Sequence, residues 1–218
     1  MMSDVSLFVL KLKKYKLMQL AVIYIRYLIG FAWVFSSIIK IEGKRFTMYD
    51  GIQAPINSAW HMFETLYQSG IYWKFIGVGQ LIVGALLLSQ RFSLLGALCG
   101  LPIAANIFFI TISYYFANTP LITGMMLIGN IALLVWDWDK LIVLLEPKSF
   151  HYYRSESLMI YDKSWFYLGI FYFVMTVILR IFFFDFIGLI LIGSIFIVIG
   201  FLVTYYNIRK YRNVHSVL

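Results

Sequence analysis

Six long apolar runs, separated by short polar breaks, dominate this chain: Leu17–Ile39, Ile71–Ser89, Phe92–Tyr115, Thr119–Trp136, Trp165–Phe184 and Phe186–Tyr206. Each is close to the ~20 residues a helix needs to cross a hydrocarbon core. Ser89-Gln90-Arg91 reads as the turn between the second and third runs, and Ala117-Asn118-Thr119-Pro120 as the turn between the third and fourth. The fifth and sixth meet at Asp185 with almost no linker, so two spans or one kinked or re-entrant pair fit the pattern there.

Between the first two runs lies an outer stretch, residues 40–70. In it Ile56, Ala59, Trp60, Phe63 and Tyr67 recur at three- and four-residue intervals, with Pro55 ahead and Gly70 behind, which predicts an amphipathic surface helix. From Asp137 to Lys163 the chain turns polar and Tyr-rich, a loop on the inner side. These breaks divide the chain into a basic tail (1–16), a four-span domain (17–145), a loop (146–164), a helical pair (165–206) and a second tail (207–218). The fold class is therefore all-α, a polytopic transmembrane bundle of about six spans.

Composition agrees with the pattern. Hydrophobic residues make up 62% of the chain and charged residues 13%, with mean hydropathy +0.85, whereas soluble domains carry about 25% charged residues. The net charge of +8 suggests no nucleic-acid partner here, because most basic residues flank spans and report topology and anionic headgroups. With both termini inside, twelve Lys and Arg fall on the inner side and three (Lys40, Lys44, Arg45) on the outer. That asymmetry predicts an even number of spans in a plasma (inner) membrane with both ends cytoplasmic. The basic start leads into a run too long for a signal peptide, so the first span is expected to be retained. Cys99, the single cysteine, excludes an internal disulfide or dithiol relay and reads as a small packing residue.

Polar residues within the runs are the candidate site. Arg26 lies about ten residues into the first span, where a charge costs at least ~2.5 kcal/mol. Counted from the inner span ends at 1.5 Å per residue, Arg26 and Gln80 are both ~14 Å deep, Asn130 ~9 Å and Asn106 ~22 Å. No acidic residue shares that depth. A ligand-binding pocket of Arg26, Gln80, Asn106 and Asn130 is thus expected, wet or holding an anionic or quinone-like molecule, with Gln80 alternatively a structural interhelical bond. Gly77, Gly79, Gly84, Gly96 and Gly100 predict close helix packing, and Pro102 a kink. Arg180 and Asp185 read as a local ion pair. His61 and Glu64, three apart on the amphipathic helix, are weak metal candidates and read first as a solvated face. No run contains a histidine, which argues against haem in the bundle, and no soluble catalytic motif appears.

Arg26-Tyr27-Leu28-Ile29-Gly30-Phe31 with Lys40, the run Gly79-Gln80-Leu81-Ile82-Val83-Gly84-Ala85-Leu86-Leu87-Leu88, and Ala104-Ala105-Asn106 resemble the DoxX/DoxD-like family of small four-helix membrane proteins. The resemblance covers residues 17–145, and the last two spans look like an addition. It implies a four-helix core, and a role either in assembly of membrane complexes or in quinone-coupled sulfur or thiol redox chemistry. Gln80 stands where relatives often carry an acidic residue. The expectation is a non-enzymatic component of a membrane complex, with a membrane-protein partner or a second copy. A quinone- or small-ligand-binding oxidoreductase subunit and a small transporter or channel are the alternatives.

Overall fold

A computed structural model describes residues 4–47, 49–145, 159–182 and 186–212. Nine α-helices and one 3₁₀ turn are described: α1 (Asp4–Lys13), α2 (Lys16–Ile41), α3 (Ala59–Gln68), α4 (Ile71–Leu88), α5 (Ser93–Ser113), α6 (Thr119–Trp136), α7 (Trp138–Leu145), the turn Met159–Tyr161, α8 (Lys163–Phe182) and α9 (Phe186–Lys210). Among the described residues there is no strand. Six helices, α2, α4, α5, α6, α8 and α9, are long and apolar enough to cross a membrane, and the chain is a multi-pass membrane protein.

The centre of the bundle is α2. It packs on α1, α4, α6, α8 and the 3₁₀ turn. Its buried side includes Val22, Ile23, Arg26, Tyr27, Gly30, Trp33, Val34, Ser37 and Ile38, the three-and-four spacing of a continuous helix stripe. Backbones approach closely where α2 meets α4. A Cβ on Gly30 would stand 2.8 Å from Leu88 Cγ, and one on Gly84 would stand 2.6 Å from Val34 Cγ2. Gly96 and Gly100 bring α5 against Leu87 and Val83 of α4 in the same way. The α5–α6 contact is bonded as well as packed: Asn130 Nδ2 donates to Ala97 O at 2.9 Å, and the Thr111 and Thr123 hydroxyls meet at 2.9 Å. Packing of α6 back onto α2 closes a four-helix ring.

Onto this ring α8 docks against α2 and α4, and α9 packs on α8. The Tyr27 hydroxyl donates to Trp165 O, and Tyr172 meets Tyr27 edge-on with centroids 5.0 Å apart. Lys16 Nζ donates to Tyr211 O at 2.6 Å, so the start of α2 and the end of α9 share one face of the bundle, here called the terminal face. The basic start of the chain is more ordered than a tail. It forms α1, and Lys13, 6% exposed, pairs with Asp139 in the first turn of α7 at 2.6 Å. Buried Gln19 accepts from Ile160 N and donates to Lys13 O, tying the 3₁₀ turn to the α1–α2 corner.

On the opposite face, α3 is the amphipathic helix expected from the sequence. Ser58 caps its first turn by accepting from His61 N. Trp60 and Phe63 pack on Phe116 in the α5–α6 turn, at 5.4 and 5.0 Å between centroids. Helix α5 continues through Pro102, which is exposed.

Candidate functional site

Arg26 has a carboxylate partner, contrary to the expectation that none lies within reach. Its Nη2 donates to Asp137 Oδ2 at 3.1 Å and its Nη1 to Gln90 Oε1 at 3.4 Å. Asp137 Oδ1 accepts from Lys140 Nζ at 2.6 Å, and Gln90 Nε2 donates to Ile23 O at 3.2 Å. Both charges are deeply buried, Arg26 at 3% and Asp137 at 2% exposure. Burial opposes ionisation of Asp137, yet the charges of Arg26 and Lys140 outweigh it and hold the carboxyl below its usual range. Burial likewise works against the Lys140 ammonium, and Asp137 reverses the effect, raising it above the ordinary lysine value.

The reason is helix length. At 1.5 Å per residue, the 26-residue α2 is about 12 Å longer than the 18-residue α4, and the excess overhangs the terminal face. Arg26 is consequently level with the α4–α5 turn and the end of α6, not halfway up the bundle. Asp137, read from the sequence as the first residue of a loop, caps α6 at that level.

The same register separates the other expected site residues. Gln80, 1% exposed, is bonded from the Ser36 hydroxyl at 3.4 Å, ten residues up α2 from Arg26. Asn130, fully buried, donates to Ala97 O and serves the α5–α6 contact. Asn106 is exposed: the inward stripe of α5 is Ser93, Gly96, Ala97, Gly100, Ala104 and Thr111, and a position two residues past Ala104 points the other way. Cys99 is exposed as well and does not pack inside. The four residues therefore form no common pocket.

Glu64 receives a two-pronged bond from Arg45, Nε at 2.8 Å and Nη2 at 2.9 Å, and a third from Gln68 at 3.2 Å. Arg45 is the foremost cause holding Glu64 below the usual carboxylate range. Glu64 thus acts as a structural anchor for the outer loop, and no group of three or more His, Cys, Asp or Glu side chains is gathered among the described residues. Arg180 lies 4.7 Å from the Phe35 ring centroid. Its expected partner Asp185 lies outside the described residues, as do His151 and His215.

Beside the Arg26–Asp137 pair, the terminal face opens into a cleft of about 1250 Å³. Arg26, Arg91, Lys140 and Lys163 line it against one lining carboxylate, Asp162. Asp162 is itself occupied by Lys210 Nζ at 2.6 Å and the Tyr211 hydroxyl at 3.1 Å. Arg91 and Lys163 form no ion pair among the described residues. The wall toward the membrane is apolar: Phe92, Leu95, Leu98, Phe166 and Tyr167. Arg91, Lys140 and Lys163 went unread as a site because the sequence scatters them over 73 positions at three span ends, where flanking basic residues are ordinary.

No family model, no curated protein and no solved structure matches the chain.

Proposed function

We propose that this multi-pass membrane protein works by binding, as a non-enzymatic component of a membrane assembly, and that the cleft beside Arg26 is its binding place for a small anionic molecule. The observation carrying this reading is the imbalance of the cleft's charges. Arg26 and Lys140 share Asp137, while Arg91 and Lys163 face the opening with no carboxylate of their own among the described residues. The arrangement sets cations fixed by Asp137 beside two exposed cations free to meet an anion.

We assign the terminal face to the cytoplasm, on the twelve-to-three excess of Lys and Arg, and the host bilayer to a plasma (inner) membrane. A DoxX-like core for residues 17–145 is part of the same proposal. It is supported by the closed ring of α2, α4, α5 and α6, with α8 and α9 applied to its outside.

Native mass spectrometry of the mildly solubilised protein tests the binding reading. The wild type is expected to carry a small-molecule adduct that Arg91→Ala/Lys163→Ala loses. Equal spectra, with no adduct in either, would refute it. A stoichiometric quinone in place of an anion would instead support an oxidoreductase subunit. Reporter fusions at the C-terminus test the orientation.

A further inference from the structure

We infer that the cleft takes a phosphate-bearing anionic amphiphile, its phosphate at the start of α5 and its chains along the apolar wall. This rests on the binding reading above and names the ligand class for that site.

The first line of argument is the α5 terminus. Helix α5 has 21 residues, its N-cap is Phe92, and no side chain caps its first turn. The starts of α2, α4 and α6 likewise have no side-chain cap, so what sets α5 apart is that its uncapped first turn borders the cleft. Ser93, Leu94 and Leu95 line the cleft, and first-turn amides project back past the helix start. The uncapped start of α5, the positive end of its helix dipole, thus borders the cleft, an arrangement suited to phosphate oxygens.

The second line is independent of the helix. Arg26, only 3% exposed, lines the same cleft; its Nη atoms bond Gln90 and Asp137, while its Nε has no hydrogen-bond partner among the described residues. Arg91 immediately precedes the turn into α5, and Lys163 lies across the cleft at the start of α8. The cationic side is thus built from three separate elements, α2, the α4–α5 turn and α8, which a single solvated helix face would not require.

The third line concerns the chains. Phe92, Leu95 and Tyr167 are 52%, 51% and 65% exposed. They continue from the charged end of the cleft onto the lipid-facing sides of α5 and α8. A soluble anion has no use for that wall, whereas an amphiphile covers it while its headgroup stays at the level where the spans end.

The test uses the delipidated full chain in detergent, titrated separately with phosphatidic acid, phosphatidylglycerol, phosphatidylcholine, oleate and inorganic pyrophosphate, and read by native mass spectrometry. Phosphatidic acid and phosphatidylglycerol are expected to be retained about thirtyfold better than phosphatidylcholine, two exposed cations being engaged. Arg91→Ala/Lys163→Ala is expected to remove that preference; both residues are exposed, so the fold should survive. Phosphatidylcholine held as well as the anionic lipids would overturn the inference. Pyrophosphate binding as tightly as phosphatidic acid would place the phosphate source in solution and overturn the lipid assignment. Oleate held in preference to every phosphate would replace the ligand class yet leave the binding reading intact. No retention in any arm would end both.

Discussion

Arg26 and Asp137 meet across 111 positions of sequence, each almost wholly removed from solvent. Breaking such a pair leaves a bare buried charge, so Asp137→Ala is expected to destabilise the bundle by about 3–5 kcal/mol. Arg26→Met/Asp137→Leu should recover most of that loss, and denaturant unfolding in detergent measures both. The two asparagines expected to act alike should separate in the same assay. Asn130→Leu breaks an interhelical bond and is expected to cost about 0.6–1.7 kcal/mol, while Asn106→Leu, facing outward, should leave stability unchanged. That difference also marks what the sequence could reveal at this scale. A cation inside an apolar run is conspicuous by itself. Its partner was hidden because depth was counted from each span's own end, and α2 and α4 do not end together.

At the scale of elements, the six spans and α3 were legible because apolar run length and three-and-four spacing follow from helix geometry and bilayer thickness alone. Helix α1 was not. Its order comes from Lys13 and Gln19 reaching α7 and the 3₁₀ turn, contacts that local pattern does not encode. The docking of α8 depends on one glycine: a Cβ on Gly169 would fall 1.7 Å from Leu88 O. Gly169→Ala is expected to cost about 1–3 kcal/mol, and denaturant unfolding in detergent measures the loss. A clasp holds the far end of the same pair, where Asp162 meets Lys210 and Tyr211. Burial works against ionisation of Asp162, but Lys210 and the Ser164 amide together hold its carboxyl at about 2. Because this is below the unfolded value of about 3.9, the clasp's contribution is complete above that value and fades as pH falls toward 2. The thermal midpoint of wild type minus that of Asp162→Asn should be flat from pH 7 to about pH 4 and shrink below it.

Across the whole molecule, α2 is both the first span in the chain and the hub on which α4, α6 and α8 pack. It therefore emerges before α4, α6 and α8, the spans that pack on it. Translation at about 5–20 residues per second leaves roughly 6–22 s between the appearance of Arg26 and that of the carboxylate that neutralises it, 111 residues later. Through that interval the nascent chain holds a naked guanidinium at the edge of the bilayer, where water and lipid phosphate are its available company. The charge pair thus doubles as a completion mark for synthesis: Arg26 meets its carboxylate, and the four-helix ring closes, only once the end of α6 has been made.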